Sequence, residues 1–560
     1  METKIINCHT HIFTGDHVPP YLGKTLMPYP LYYIVNIKWL IALVRSANHG
    51  WLCNTYYSIK NPIDRFAYWW QSHTEHLYIT KFISRVIKFC VAFICFVFIV
   101  SFLLRFFDKG LLKNIFTWII TRPFVRPIAI LPIWLKIIIL IISYVLVRWV
   151  RNITNALLFY AFKFLKDITG SANVALLKRY YNIATLSKDK TQDEIFTVLK
   201  KSYPANSQFV VLPMDLDYAC AGNAKENYLQ QLNELIMLKR SPSHKAEMRP
   251  FVFADPRRIE EQPGYYQTII DCLEKENFSG IKIYPALGYY PFDKNLLKLF
   301  LYACNKQIPI LTHCIRGIIF YRGIKKKEWD MHPVFTQTVN KKVEGMKLKE
   351  FKNIDFINNF THPLNYLCLL DPGFLKIVLF DLEEKDPLTT ELYGLYGFTK
   401  NGSPEDSILK NDLKNLKLCF GHFGGEDEWA KYIERDRSNY EDKFMLYPEY
   451  AEGFENPTLA AAWHNETWYS IIRRIIMNED YPNIYADISF IIYDERIISL
   501  LKSSLQVRHL RDRILYGTDF YVVRQKGTDK KFWIDILAHL TPEEVNRIAV
   551  ANPSAFLSDR

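Results

Sequence analysis

Eight short apolar runs, separated by longer amphipathic stretches, constrain the fold of this 560-residue chain more than any other feature. Each run has the length and residue types of a buried strand, and the stretches between the runs have the period of helices. Eight such units are the number that closes a (β/α)8 TIM barrel, although a doubly wound open sheet shows the same alternation. The predicted strands are Ile5–His11, Gln208–Pro213, Arg249–Ala254, Gly280–Tyr284, Pro309–His313, Leu418–His422, Asn483–Asp487 and Arg513–Gly517.

Two of the connections between these strands are too long to be plain loops. One follows the first strand and extends to Gln208, and the other, about 315–416, separates the fifth strand from the sixth. Long structureless loops are uncommon in compact domains, so both connections should contain helices of their own. We therefore divide the chain into 1–30 with the first strand, 31–170 as an insertion, and 171–560 as the remainder of the barrel.

The first insertion combines the excess positive charge of the chain with its most apolar segments. Between Lys81 and Lys166 there are thirteen Lys and Arg residues and one acid, which leaves 57 basic and 57 acidic residues elsewhere. The net charge of +12 therefore does not indicate a nucleic-acid partner. Residues 86–104 and 127–147 each approximate the roughly 20 apolar residues that cross a bilayer. They predict a transmembrane hairpin; the alternative, for which Lys136 argues, is a pair of buried helices or an interfacial hairpin.

The predicted hairpin has a consequence for the location of the barrel. A hairpin that crosses twice returns to its starting side, so both flanking parts of the chain share one compartment. The ten cysteines include no CxxC pair, which favours a reducing location. Met1–Lys4 leads directly into the first strand, so no signal peptide is expected. These features predict a multi-pass membrane protein with two spans and its barrel on the cytoplasmic side.

Residue types that bind metals recur at the carboxyl ends of the predicted strands, where the active sites of such barrels form. On the first strand, His9 and His11 should point to one face, while Cys8 and Thr10 should point to the other. Imidazoles and carboxylates that converge from separate strands predict a divalent-metal site. The later strands contribute four further candidates: His313, His422, Asp519 and Lys282.

The motifs at these positions resemble those of the amidohydrolase superfamily, most closely its amidohydrolase-related (amidohydrolase 2) branch of metal-dependent hydrolases and non-oxidative decarboxylases. The resemblance implies a TIM barrel of the metal-dependent hydrolase type. It covers residues 1 to about 15 and most of the chain from 208 onwards, but not the hairpin or much of the second insertion. The matching pieces are Cys8–His11, Gly280–Gly288, Pro309–His313, Gly421–Gly425, Arg513–Asp519 and Asn552–Leu557.

The resemblance also implies roles for the candidate residues. It implies a mononuclear site, with zinc as the expected ion, held by His9, His11, His313 and Asp519. Such an ion makes water acidic enough to lose a proton near neutral pH. Asp519 would also accept that proton, and His422 would hydrogen-bond the water or polarise the substrate carbonyl.

Two residues have open roles at this stage. Lys282 would carry a carboxylate that bridges two metal ions, as in the binuclear branches of the superfamily. Alternatively, it would cap the barrel rim or pair with an anionic substrate group. We favour the second role, and either one places the amine near the site. Arg316 would contact a substrate carboxylate or phosphate as a bidentate fork, or be a solvated loop charge.

These observations together predict a membrane-anchored metal-dependent hydrolase that acts on an amide, ester or related carbonyl-type bond. Its substrate would be a small molecule or a lipid-derived compound, and a homo-oligomer is compatible with the sequence. One alternative is a metal-dependent non-oxidative decarboxylase or hydratase of the same superfamily. The other is a membrane-bound binding or signalling protein without catalysis.

Overall fold

The computed structural model describes residues 5–19 and 191–557, except 317–320, 340, 349–352, 436–457 and 521, together with isolated positions between 82 and 135. The chain divides into two compact units, one formed by Met1–Asn36 with Leu177–Arg560 and the other by Ile37–Leu176. The stretches that predict the hairpin, 86–104 and 127–147, lie outside the described residues apart from such isolated positions. The strands and the candidate site belong to the first unit.

The strands of the first unit form a parallel barrel and one separate hairpin. They are β1 (Ile6–Thr10), β2 (Gln208–Val211), β3 (Met248–Phe253), β4 (Gly280–Ile283), β5 (Ile310–Ile315), β6 (Met331–Val339), β7 (Lys342–Lys347), β8 (Leu418–Gly424), β9 (Ile484–Asp487) and β10 (Ile514–Leu515). Eight of them pair in parallel in the order β1-β2-β3-β4-β5-β8-β9-β10. All eight predicted strands belong to this sheet, although their ends differ by one or two residues.

The sheet closes because the chain beyond β10 hydrogen-bonds to β1. The Cys8 N–H donates to the Tyr516 carbonyl oxygen over 2.8 Å, and the Asp519 N–H donates to the His9 carbonyl oxygen over 2.8 Å. Thr10 also forms a parallel bridge with Phe520. The first and last strands of the barrel are therefore neighbours, as the predicted barrel requires.

Helices cover the outside of the barrel, and side-chain caps fix where several of them begin. Thr191 and Asn227 each form a capping box at the start of the following helix, and Asp255 caps a helix that opens with Pro256. Outside the second insertion, the described helices between the barrel strands and after β10 are Gln192–Lys200, Tyr228–Arg240, Pro256–Glu261, Tyr265–Glu274, Lys294–Lys306, Glu426–Arg435, Thr458–Asn465, Trp468–Met477, Glu495–Gln506, Arg508–Arg511, Asp529–His539, Pro542–Asn546 and Asn552–Leu557.

The barrel interior is filled by its own apolar cluster, to which the last helix contributes. Phe556 and Leu557 pack with interior side chains such as Val210, Phe251 and Leu311. Lys417, which precedes β8, donates from Nζ to the Ala555 carbonyl oxygen over 3.2 Å. The last helix therefore closes the end of the barrel at which the strands begin, and the candidate site lies at the other end.

The strict alternation predicted for β1 is wrong at Cys8, because the strand contains a bulge. Asn7 pairs with Phe209 and Thr10 with Val211, so two residues of β1 oppose one residue of β2. Cys8 packs in the interior cluster, and His9 faces the interior as well. The bulge keeps the predicted orientation of His9 and His11 but places Cys8 on their side of the strand.

The second insertion contains both helices and a β-hairpin. Its helices are Asn353–Thr361, Leu367–Leu370, Pro372–Phe380 and Pro387–Tyr396, so the helices expected there are confirmed. Antiparallel β6 and β7 form a two-stranded hairpin that the sequence reading did not predict. Within the described residues no single helix is long and apolar enough to span a membrane; one bent pair, Pro363–Leu370 with Pro372–Phe380, passes that test by length and composition.

Candidate metal centre

Imidazole and carboxylate groups meet at the carboxyl-terminal end of the barrel strands. One ring nitrogen of His9, one of His422 and one carboxylate oxygen of Asp519 lie within 4.8 Å of one another. His11 Nε2 is 3.2 Å from Asp519 Oδ1, and His9 Nε2 is 3.7 Å from the same oxygen. His313 Nδ1 lies 3.1 Å from His422 Nε2. The barrel thus brings together five side chains that are far apart in sequence, all of them buried.

The hydrogen-bond partners of His9 and His11 outside the site determine which ring nitrogen carries the proton. His9 Nδ1 lies 2.9 Å from Asp487 Oδ2, and His11 Nδ1 lies 2.8 Å from the Leu212 carbonyl oxygen. Because both oxygens only accept hydrogen bonds, the network places the proton of each neutral ring on Nδ1. Each Nε2 then carries a lone pair that faces an oxygen of Asp519. Facing lone pairs repel each other unless a proton or a cation lies between them, so these residues fit a bound metal ion.

Two buried ring nitrogens support the same conclusion. Within the part of the chain that the structure describes, His9 Nε2 and His313 Nε2 have no hydrogen-bond partner. Burial lowers the pKa of His9 and of His313 well below the ordinary value, with smaller contributions from nearby Lys282. Burial also lowers the pKa of His422 to about 3. These three rings are therefore neutral at pH 7, which is the form that binds metals.

Two of the site residues, His422 and Asp519, have a left-handed backbone conformation. The φ angles are 65° at His422 and 61° at Asp519. His and Asp are among the few residue types that are enriched in this region of backbone space. Conformations of this kind persist where surrounding contacts hold them, and they cluster at functional sites.

Two glycines give the His9 side chain the space that it needs. A Cβ at Gly517 would lie 2.8 Å from His9 Cβ, and a Cβ at Gly421 would lie 3.1 Å from His9 Cε1 and 2.7 Å from the Thr312 carbonyl oxygen. Larger residues at either position would push β1 or β5 away from the centre of the barrel. These glycines therefore permit the close approach of strands around His9.

Lys282 lies on β4 inside the barrel, where its side chain is fully buried. Its Nζ has no hydrogen-bond partner among the described residues and lies 5.9 Å from the centre of the Tyr284 ring. Burial lowers the pKa of Lys282 to about 8, and the attraction of Asp487 and Asp519 offsets this only in part. The amine is near the candidate site, as both of its sequence-based roles require.

Asp487 is a site residue that the sequence reading missed. It is the last residue of β9, and its carboxylate accepts a hydrogen bond from the His9 ring over 2.9 Å. It also accepts hydrogen bonds from the backbone N–H groups of His422 and Ser489, over 3.1 and 3.0 Å. The rule that selected the other candidates, a polar residue at the carboxyl end of a barrel strand, applies to Asp487 as well. The position of Asp487 at the end of a predicted strand was therefore a sufficient signal.

A cavity of about 200 Å³ opens beside the cluster. Its wall includes His11, His313, His422 and Asp519 together with apolar side chains such as Phe13, Met214, Ile315 and Phe490. Arg316 also lines it: its side chain is 44% exposed, and Nη2 lies 3.5 Å from Glu428 Oε1. The guanidinium carbon also lies 5.7 Å from the centre of the Trp468 ring, and Glu426, Asp427 and Glu428 line the same part of the cavity.

The closed eight-stranded barrel and the buried ligand cluster define this protein as a parallel (β/α)-type barrel with a candidate metal centre. No protein-family profile matches its sequence, and no curated protein matches it. Similar solved structures exist at low identity. A 5-carboxyvanillate decarboxylase from Sphingomonas paucimobilis has a TM-score of 0.35 and 10% identity over 68% of this chain and 86% of its own.

Two further solved structures have different annotated activities. An amidohydrolase from Burkholderia multivorans with bound zinc has a TM-score of 0.32 and 8% identity, over 68% of this chain and 92% of its own. A 4-oxalomesaconate hydratase from Rhodopseudomonas palustris has a TM-score of 0.32 and 14% identity, over 66% of this chain and 84% of its own. Values of this size do not transfer an activity to this chain, so its function is argued from its own residues.

Proposed function

We propose that this protein is a metal-dependent hydrolase that cleaves an amide, ester or related carbonyl-type bond. One observation carries the proposal: lone pairs on His9 and His11 face a carboxylate oxygen of Asp519 in a buried site, with distances of 3.7 and 3.2 Å. A cation held between these groups would stabilise the arrangement, and its nitrogen and oxygen donors are those that zinc prefers.

The ligand set consists of His9, His11 and Asp519, and a further imidazole from His422 or His313 completes it. A divalent ion held there supplies the positive charge that lowers the pKa of water and polarises a carbonyl oxygen. One ion is the simpler assignment, while carboxylation of Lys282 would provide for a second.

The chain's own groups move protons and hold the substrate. Asp519 accepts the proton of the attacking water, because a carboxylate has lone pairs beyond the one used for a metal bond. His422 donates or accepts a hydrogen bond at the reacting carbonyl. Arg316 binds an anionic group of the substrate at the cavity, and the apolar wall excludes water from the remainder.

The first test combines metal content with activity in the full-length chain. Purified protein should contain about one zinc per chain, as measured by mass spectrometry, and should cleave chromogenic esters or anilides. Asp519→Asn should lose both the metal and the activity, because a neutral amide neither ligates well nor accepts a proton. The matched control is Asp535→Asn, which changes a carboxylate that pairs with Lys531 on an outer helix and should retain both.

The same assay separates the alternative reactions. Release of carbon dioxide from a carboxylic acid substrate, without the incorporation of solvent oxygen, would identify a decarboxylase, and addition of water to a double bond would identify a hydratase. Wild-type protein that binds no metal would refute the metal-dependent proposal in all three forms. Metal binding with full biological function in Asp519→Asn would favour a binding or signalling protein.

The membrane part of the proposal rests on the sequence of 86–104 and 127–147 alone. If these stretches span a bilayer, the full-length chain stays in the membrane pellet after washing with alkaline carbonate. An anchored barrel would meet amphipathic or lipid-derived substrates at the bilayer surface. Release of the chain into the carbonate wash would contradict the anchor without affecting the metal site.

A further inference from the structure

Asp487 and Ser489 connect two of the candidate ligands outside the site. Both residues are fully buried. The Ser489 hydroxyl donates to Asp487 Oδ1 and lies 2.9 Å from His422 Nδ1. The other carboxylate oxygen of Asp487 bonds to His9 Nδ1 over 2.9 Å. One carboxylate on β9 therefore reaches His9 directly and His422 through a single hydroxyl.

The chain of hydrogen bonds has one consistent arrangement of protons. The Ser489 hydroxyl donates its single proton to Asp487 Oδ1, because a carboxylate oxygen accepts hydrogen bonds. The hydroxyl oxygen must then accept from His422, which places the proton of that ring on Nδ1. The neutral His422 ring consequently carries a lone pair on Nε2, on the side that faces the site.

The lone pair of His422 faces a further imidazole. His422 Nε2 lies 3.1 Å from His313 Nδ1, and a cation held between the two nitrogens would bind the lone pairs of both. His313 Nε2 is buried without a hydrogen-bond partner among the described residues. The positions of the protons on His9 and His422 follow from Asp487.

We propose that Asp487 and Ser489 are positioning residues that fix the tautomers and ring orientations of His9 and His422, so that both present Nε2 lone pairs to one metal ion. The inference rests on the proposed metal-dependent function. It assigns a task to two residues that touch neither metal nor substrate, and outer partners of this kind typically change metal affinity by about 10–100-fold.

The test measures zinc affinity of the metal-free full-length chain by competition with a fluorescent chelator. Asp487→Asn should weaken zinc binding about 10–100-fold, because an amide cannot accept from the His9 ring and from the neighbouring donors together. Ser489→Ala should weaken it less, since His422 Nδ1 also lies 3.3 Å from the Ser489 carbonyl oxygen. Cobalt-substituted protein should show an altered visible absorption spectrum in both variants.

Two comparisons separate positioning from plain structural support. Ser504→Ala removes an equally buried hydroxyl that bonds to Tyr469 and Leu500, and it should lower the melting temperature without changing zinc affinity. In a His422→Ala background, Ser489→Ala should have no further effect on zinc affinity, because the hydroxyl acts through that ring.

Three outcomes would overturn the inference. The first is wild-type protein that binds no zinc, which would also refute the proposed function. The second is zinc binding by wild type that neither Asp487→Asn nor Ser489→Ala changes by more than about twofold. The third is an effect of Ser489→Ala that persists unchanged when His422 is absent. The last two outcomes leave the proposed function intact.

Discussion

Lys282 offers a prediction whose magnitude follows from the structure. Its amine is fully buried in the barrel, and burial lowers its pKa from 10.5 to about 8. Each pKa unit is worth about 1.4 kcal/mol, so holding the ammonium form in the folded, metal-free protein at pH 7 costs roughly 3 kcal/mol. Lys282→Met retains the length of the side chain and removes the charge, and it should raise the free energy of unfolding by that amount.

The stability difference between Lys282→Met and the wild type should depend on pH. Below about pH 8 the folded and unfolded chains both hold the proton of Lys282, and the full cost is present. Between about pH 8 and pH 10.5 only the unfolded chain holds it, so the stability of the wild type rises with pH through this window. The advantage of Lys282→Met should therefore fall from roughly 3 kcal/mol at pH 7 to roughly 1 kcal/mol at pH 9.5.

Urea denaturation of the metal-free protein, followed by tryptophan fluorescence at both pH values, measures the effect. Lys239→Met is the matched control, because burial also lowers the pKa of Lys239 to about 8. Its Nζ donates to the Lys245 and Met248 carbonyl oxygens over 2.9 and 2.7 Å, so its loss should destabilise the protein instead. Equal stability of Lys282→Met and wild type at pH 7, or an advantage that does not fall with pH, would refute the reasoning.

Two other substitutions test the space around His9 and the role of the Arg316 guanidinium at the cavity. Gly517→Ala should lower zinc affinity and should lower the free energy of unfolding by about 1–3 kcal/mol, because the new Cβ would lie 2.8 Å from His9 Cβ. The control is Gly264→Ala, whose new Cβ would have no atom within 4 Å and which should change neither zinc affinity nor the fold. Arg316→Gln should raise KM for anionic substrates and leave kcat nearly unchanged, as steady-state kinetics would show, whereas an equal loss of kcat would place the guanidinium in the reaction itself.

The strands of the barrel could be predicted from sequence because their interior and exterior faces are both buried. Such strands are continuous apolar runs, for example at Gln208–Val211 and Ile310–Ile315, and the sequence contains eight of them. The β6–β7 hairpin was not predicted, since its partly exposed strands have mixed polar and apolar residues and pair with each other outside the barrel sheet. Apolar patterning therefore locates strands that are buried on both sides and says little about exposed ones.

The candidate site was predictable in composition but not in orientation. The rule that barrel sites form at the carboxyl ends of strands located His9, His313 and Asp519. The bulge that turns Cys8 to the inside depends on the register between β1 and β2, which no local pattern encodes. The contact of His313 with Tyr284, whose rings stack at 4.0 Å, likewise depends on the register between β4 and β5.

The closure of the barrel between β1 and the chain beyond β10 also determines when the site can form during synthesis. One edge of β1 can pair as soon as Gln208–Val211 has been synthesised, but the other edge can pair only after Tyr516–Phe520 has been synthesised. At about 5–20 residues per second, roughly 25–100 s separate the emergence of His9 from that of Asp519. In the nascent chain, β1 therefore has an unpaired edge during most of the synthesis. The set of candidate ligands is complete only after the last barrel strand has been synthesised.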